Sequence, residues 1–186
     1  MSGIIRYSRL LGAEVGVDNG TSARVVGFFD GISGRPDGWD HNSHYRKRML
    51  RLAGRRAKAL DLGCGSGALT RALALRCSSV VGVDASSGMI EAARARNWGL
   101  NIEYEVADAA AYLEGRQEEF DLVVSVAAFH HMDEERMLRL CSAALRPGGM
   151  LLVLDLFEAR TAADYAASAL GAALGSFLRL YHTGHP

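Results

Sequence analysis

Apolar runs recur through the middle of the chain at 57–61, 80–84, 102–106, 120–125 and 150–156, each of strand length and favouring Val, Leu and Ile. Residues that are apolar at successive rather than alternate positions belong to strands buried on both faces. Helical stretches separate them at 66–76, 87–96, 109–114 and 133–145. Another, from about Asp40 to Arg56, sets Tyr45, Met49, Leu52 and Ala53 on one face and arginines on the other. Short buried strands alternating with helices predict an α/β domain, an open and mainly parallel sheet with helices on both faces. Right-handed crossovers would then gather every strand's carboxyl end at one edge.

Local signals set the boundaries. Asp133, followed by Glu134 and Glu135, reads as an N-cap with acids in the first turn, where the helix dipole favours them. Leu145-Arg-Pro-Gly-Gly ends that helix and turns the chain into the strand at 150–156. Residues 1–38 are glycine-rich with little sustained periodicity, and Asp30–Gly38 reads as a loop. After Thr161 the chain reads as helix to about Leu180, with no further strand. Three regions follow: 1–56, a core at 57–156, and a helix and tail at 157–186.

The first strand ends in Asp61-Leu-Gly-Cys-Gly-Ser-Gly, with glycines at 63, 65 and 67. Such a turn lets a ligand lie against backbone amides and a helix N-terminus. Asp84 closes the second strand seventeen residues after Gly67, close to the offset of an acid that accepts from ribose hydroxyls. It could instead cap the helix that begins near Ser86 or Ser87. Asp108, just beyond the third strand, suits an exocyclic amine or, equally, the cap of the helix at 109–114.

Composition narrows the setting. Lys and Arg number 21 and Asp and Glu 21, so no long-range field draws the chain to nucleic acid or anionic lipid. The basic cluster Arg46, Lys47, Arg48, Arg51, Arg55, Arg56 and Lys58 reads as a solvated helix face. Three cysteines without paired spacing suggest neither a disulfide framework nor a zinc site, and fit a reducing cytoplasm. Cys64 reads as a space-filler. The N-terminus lacks a signal-peptide pattern, and the uncharged run Tyr165–Leu178 carries too few residues to span a bilayer. The expectation is a soluble, cytoplasmic protein with no metal site and no membrane or nucleic-acid partner.

With Val83-Asp84-Ala-Ser-Ser-Gly-Met-Ile, Ala107-Asp108-Ala, Phe120-Asp-Leu-Val-Val-Ser and Leu145-Arg-Pro-Gly-Gly, the Asp61 turn completes an ordered set. It resembles the motifs of class I S-adenosylmethionine-dependent methyltransferases, closest to the branch with quinone-biosynthesis and other small-molecule enzymes. The resemblance implies a Rossmann-like core at 57–156 and S-adenosyl-L-methionine as cofactor. It places Gly63, Gly65 and Gly67 along the methionine part and Asp61 near the amino group. Asp84 would bind the ribose hydroxyls, with Ala85 and Met89 beside the adenosine. Asp108 would meet the adenine amine, Ala109 would offer a backbone donor, and Ser125 and Val126 would face the reactive end. Residues 1–56 would cap the pocket, with His44 and Tyr45 as substrate-pocket contacts.

His130 and His131 follow the fourth strand at the edge where the methyl should sit, and either could serve as base, orient a substrate or simply pack. The reading is methyl transfer to a small-molecule acceptor. Two alternatives stand beside it: a non-catalytic cofactor-binding module that stabilises a partner, and an NAD(P)-dependent oxidoreductase using the looser dinucleotide fingerprint. The family sheet normally ends in two further strands, and nothing after Leu156 reads as a hairpin. The fifth strand would then be an exposed edge, open to homodimer formation.

Overall fold

The computed structural model describes residues 4–9, 26, 30 and 43–156, without the side chains of 4–9, 43–46, 130 and 156. The expectations for 31–38 and for the helix after Thr161 lie outside the described residues, as do the side chains of His44, Tyr45 and His130. Two compact units divide the chain, Met1–Tyr7 with Gly16–Asp155 and Ser8–Val15 with Leu156–Pro186. The candidate site lies wholly in the first.

The strands are β1 (Ile4–Arg9), β2 (Arg56–Leu62), β3 (Cys77–Asp84), β4 (Ile102–Val106), β5 (Phe120–Val126) and β6 (Leu145–Leu156). The helices are α1 (Ser43–Ala53), α2 (Ala68–Ala74), α3 (Ser87–Ala95), α4 (Ala109–Leu113) and α5 (Glu134–Ala144), with a 3-10 turn at Phe129–His131. The sheet runs β1-β6-β5-β2-β3-β4. All four pairings from β6 through β5, β2 and β3 to β4 are parallel. The chain starts its winding at β2, proceeds outward through β3 to β4, then returns to β5 on the other side. The reversal leaves a crevice between the carboxyl ends of β2 and β5, the place where open α/β sheets hold ligands.

Two apolar layers cover the sheet. Met49, Ala53, Leu69 and Leu73 of α1 and α2 pack on Ala59, Val80, Leu122, Val124 and Leu152. Farther along that face, Ile90 and Ala93 of α3 pack on Cys64 and Tyr104. The opposite layer joins α4 and α5 to Leu60, Leu62, Val81, Val83, Phe120 and Val123. Residues of β2 and β5 thus feed both layers in alternation, which is why these strands read as continuous apolar runs.

Two expectations need correction. Residues 4–9, read as part of an aperiodic segment, form β1 beside β6. β6 is therefore an interior strand, and the motive for a homodimer through its exposed edge disappears. The second concerns Leu145–Gly149, read as a turn, which is part of β6 itself. Phe120 is opposite Leu145 and Leu122 opposite Met150, so the additional residues are absorbed as an irregularity, with Gly148 at φ 78°.

Candidate functional site

The turn after β2 is fixed by its backbone. Gly63 and Cys64 both donate to the Val83 carbonyl, at 2.8 and 3.0 Å, which ties the turn to the end of β3. Gly63 has φ 67°, and a Cβ there would lie 2.4 Å from that of Ala128. Only glycine lets the loops after β2 and β5 approach this closely. Gly65, at φ 52°, would meet nothing within 4 Å, so its backbone fronts open space.

That space is a cavity of about 330 Å³ at the sheet's carboxyl edge. The volume falls within the range of small-molecule sites, roughly 300–1,000 Å³. The turn contributes Asp61, Gly63 and Gly65, the end of β3 Asp84 and Ala85, and the next helix Met89. Ala109, Val126 and His131 complete the set of expected residues that it brings together.

Two carboxylates dominate its chemistry. Asp61 is 2% exposed and accepts from Thr70 Oγ1 at 2.7 Å through Oδ2. Burial pushes its pKa up to about 7; the Thr70 hydrogen bond opposes this and the charge of Asp84 adds to it. Asp84 uses both oxygens: Oδ2 accepts from Gly65 N at 2.8 Å and Oδ1 from Ser86 N at 2.9 Å. Burial raises its pKa as well, the two amides pull it down, and the charge of Asp30 raises it further. Among the described residues no cation figures in the groups that shift either acid. Each oxygen retains acceptor capacity. The cavity is therefore built to receive a ligand rich in donors, with a positive charge near Asp61.

Three expected contacts stand back from the cavity. Gly67, at φ 78°, caps α2 and leaves the space where a Cβ would meet Tyr104 Oη at 2.3 Å. Asp108 caps α4, its Oδ1 accepting from Ala110 N and Ala111 N at 3.0 Å each. Ser125 is fully buried within β5, on the side of Val123 rather than that of Val124 and Val126. Among the described residues no group of three or more His, Cys, Asp or Glu could hold a metal ion.

Residues 59–149 match the family model described as a methyltransferase domain. Over this stretch the chain is similar to class I S-adenosylmethionine-dependent methyltransferases. A ubiquinone biosynthesis O-methyltransferase of Coxiella burnetii is 36% identical over 110 residues, 58% of this chain and 46% of that protein. The chain spans about half the length of the relatives it matches. A solved S-adenosylmethionine-dependent methyltransferase from Mesorhizobium loti superposes with TM-score 0.52 at 32% identity, over 62% of this chain and 54% of that one. The N-methyltransferase NodS from Bradyrhizobium japonicum, solved with S-adenosyl-L-homocysteine, gives TM-score 0.59 at 25% identity over 69% and 71%.

Sequence reasoning missed several walls of the cavity. Val26 lines it from the segment read as aperiodic, and Ala127, Ala128 and Met132 line it after β5. Ala127 has φ 54°, a left-handed conformation that nothing in Val-Ala-Ala-Phe announces. Cys64 lines the cavity while packed with Ile90 and Tyr104, and burial raises its thiol pKa well above the ordinary value, so it fills space as expected and is no nucleophile.

Proposed function

We propose that the chain binds S-adenosyl-L-methionine in this cavity and transfers its methyl group to a small-molecule acceptor. The observation that carries the reading is the Asp84 carboxylate, fixed by the amides of Gly65 and Ser86 beside a cavity that the Gly65 backbone leaves open. When bound, the cofactor would supply an electrophilic methyl on a sulfonium, its carbon–sulfur bond breaking as the acceptor bonds to that carbon and the neutral thioether leaves.

The chain's own residues bind, orient and exclude water. Asp84 accepts from the ribose hydroxyls with the lone pairs its amide bonds leave over. Asp61 accepts from the amino group, whose positive charge favours the ionised carboxylate against its burial. Gly63 and Gly65 let the backbone approach the methionine part, with Gly67 holding the start of α2. Ala85 and Met89 pack beside the adenosine. The Ala109 amide donates to the adenine ring, and Asp108, expected at the adenine amine, holds the start of α4 behind it. At the reactive end Val126 sets the wall, with Ser125 buried behind it in β5, and His131 offers a base to a weakly acidic acceptor. His130 is the second candidate for that role, and His44 and Tyr45 are proposed as substrate contacts.

The relatives named for O-methyl and N-methyl transfer support a hydroxyl or amine on a small molecule as acceptor. Three buried, free thiols fit a reducing cytoplasmic setting. No described helix is long and apolar enough to cross a membrane. Titration calorimetry of the full chain tests the cofactor: S-adenosylhomocysteine should bind at roughly micromolar Kd, −8 kcal/mol, and NAD should give no heat. No heat with S-adenosylhomocysteine sinks the reading. Labelled-methyl transfer to a panel of small phenols and amines then separates an enzyme from a binding module.

A further inference from the structure

Asp30 is the residue that neither the motifs nor the cavity walls account for. It is exposed and helical, four positions beyond Val26, which lines the cavity. Its Oδ1 accepts from the Ser86 hydroxyl and from Gly88 N at 3.0 Å, across 56 and 58 positions of sequence. Both donors belong to the first turn of α3, where unsatisfied amides and the helix dipole favour a carboxylate.

Ser86 is the hinge of this arrangement. It is 1% exposed, and its Oγ accepts from Met89 N at 3.1 Å as the helix cap while donating to Asp30. Its amide is one of the two that hold Asp84. Remove Asp30, and the Ser86 hydroxyl loses its acceptor and is free to rotate. Gly88 N loses its partner at the same time. The Ser86 backbone then has less to fix it, and Asp84 loses definition at Oδ1. The charge of Asp30 works the other way, because it lies close enough to oppose ionisation of Asp84.

We propose that Asp30 is a positioning residue for nucleoside recognition: by holding Ser86 and Gly88 it fixes the Asp84 carboxylate for a ribose diol. The inference rests on the reading of the cavity as an adenosyl site. It makes the ribose preference depend on a residue upstream of the whole motif-bearing core.

The test compares wild type, Asp30→Ala and Asp30→Asn in the full chain. S-adenosylhomocysteine and its 2′-deoxyribose analogue are the calorimetric probes. Asp30→Ala should weaken S-adenosylhomocysteine about tenfold, the scale of a lost pair of hydrogen bonds, and narrow its preference over the deoxy analogue. Asp30→Asn keeps a carbonyl acceptor for both donors and should restore affinity and preference. Amide exchange at Gly88 should speed up in Asp30→Ala alone, which reports the contact independently of any ligand and of global stability. Three results overturn the proposal: wild-type affinity in Asp30→Ala, an equal loss for both probes, or a failure of asparagine to rescue. If wild type itself ignores both probes while Gly88 exchange responds, the adenosyl reading fails and the contact stands.

Discussion

The two edges of the sheet treat charge in opposite ways. At the amino edge, Lys58 pairs with Glu119 at 2.6 Å, Arg116 with the same carboxylate at 2.8 Å and Arg146 with Asp121 at 3.2 Å. Against a desolvation that alone would raise it, Lys58 and Arg116 hold the Glu119 carboxyl below its usual range. At the carboxyl edge, Asp61 and Asp84 are more deeply buried and are met by a hydroxyl and by amides instead of cations. Their pKa values move up, not down. Full charges neutralise one edge, whereas neutral dipoles leave the other with negative potential to spend on a ligand. On the proposed reading, one edge is a scaffold and the other a receptor.

Breaking the receptor should have the largest effect. Asp84→Ala removes the acceptor for Gly65 and Ser86 and should lower S-adenosylhomocysteine affinity by at least ~100-fold, about 3 kcal/mol, in titration calorimetry. Asp61→Asn sharpens the contrast, because it should stabilise the free protein while weakening the ligand. The folded state holds the Asp61 proton more tightly than the unfolded chain, with a pKa of about 7 against an ordinary value of 3.8. Stability from this group therefore falls as pH rises from about 4 to 7 and is level above. Urea denaturation should show Asp61→Asn gaining ~2–4 kcal/mol over wild type at pH 8 and almost nothing at pH 4. A difference independent of pH would contradict a buried, protonating Asp61.

Ala127→Gly relieves a left-handed alanine and should raise stability by ~1 kcal/mol in the same assay. Lys58→Ala should have the smallest effect. Its ion pair is partly solvated, so the cost should be about 0.5–1 kcal/mol, shrinking in 0.5 M salt, with ligand affinity unchanged. A larger loss at Lys58 than at Asp84 in ligand binding would dissolve the distinction between the edges.

Much of the receptor was legible because its signals are local. Asp61 and Asp84 close apolar runs, and a strand's end is visible in a window of a few residues. Asp108 was legible only as far as its ambiguity: the same side chain suits a ligand or a helix cap, and the structure displays the cap. Gly67 and Ser125 were placed on the site by family motif, yet one caps a helix over Tyr104 and the other is buried within the sheet. Strand pleat decides such cases, since neighbouring positions face opposite layers.

By itself the sequence determined the alternation of strands and helices, the parallel sheet they form and the acids at two strand ends, because periodicity and turn chemistry are encoded within neighbouring residues. Only the tertiary structure decided that Ile4–Arg9 occupies the edge beside β6, that Ala128 demands a glycine at 63, and that Asp30 reaches Ser86. Those are contacts between distant parts of the chain, chosen by packing and hydrogen-bond satisfaction in the folded state. No window of sequence contains both partners.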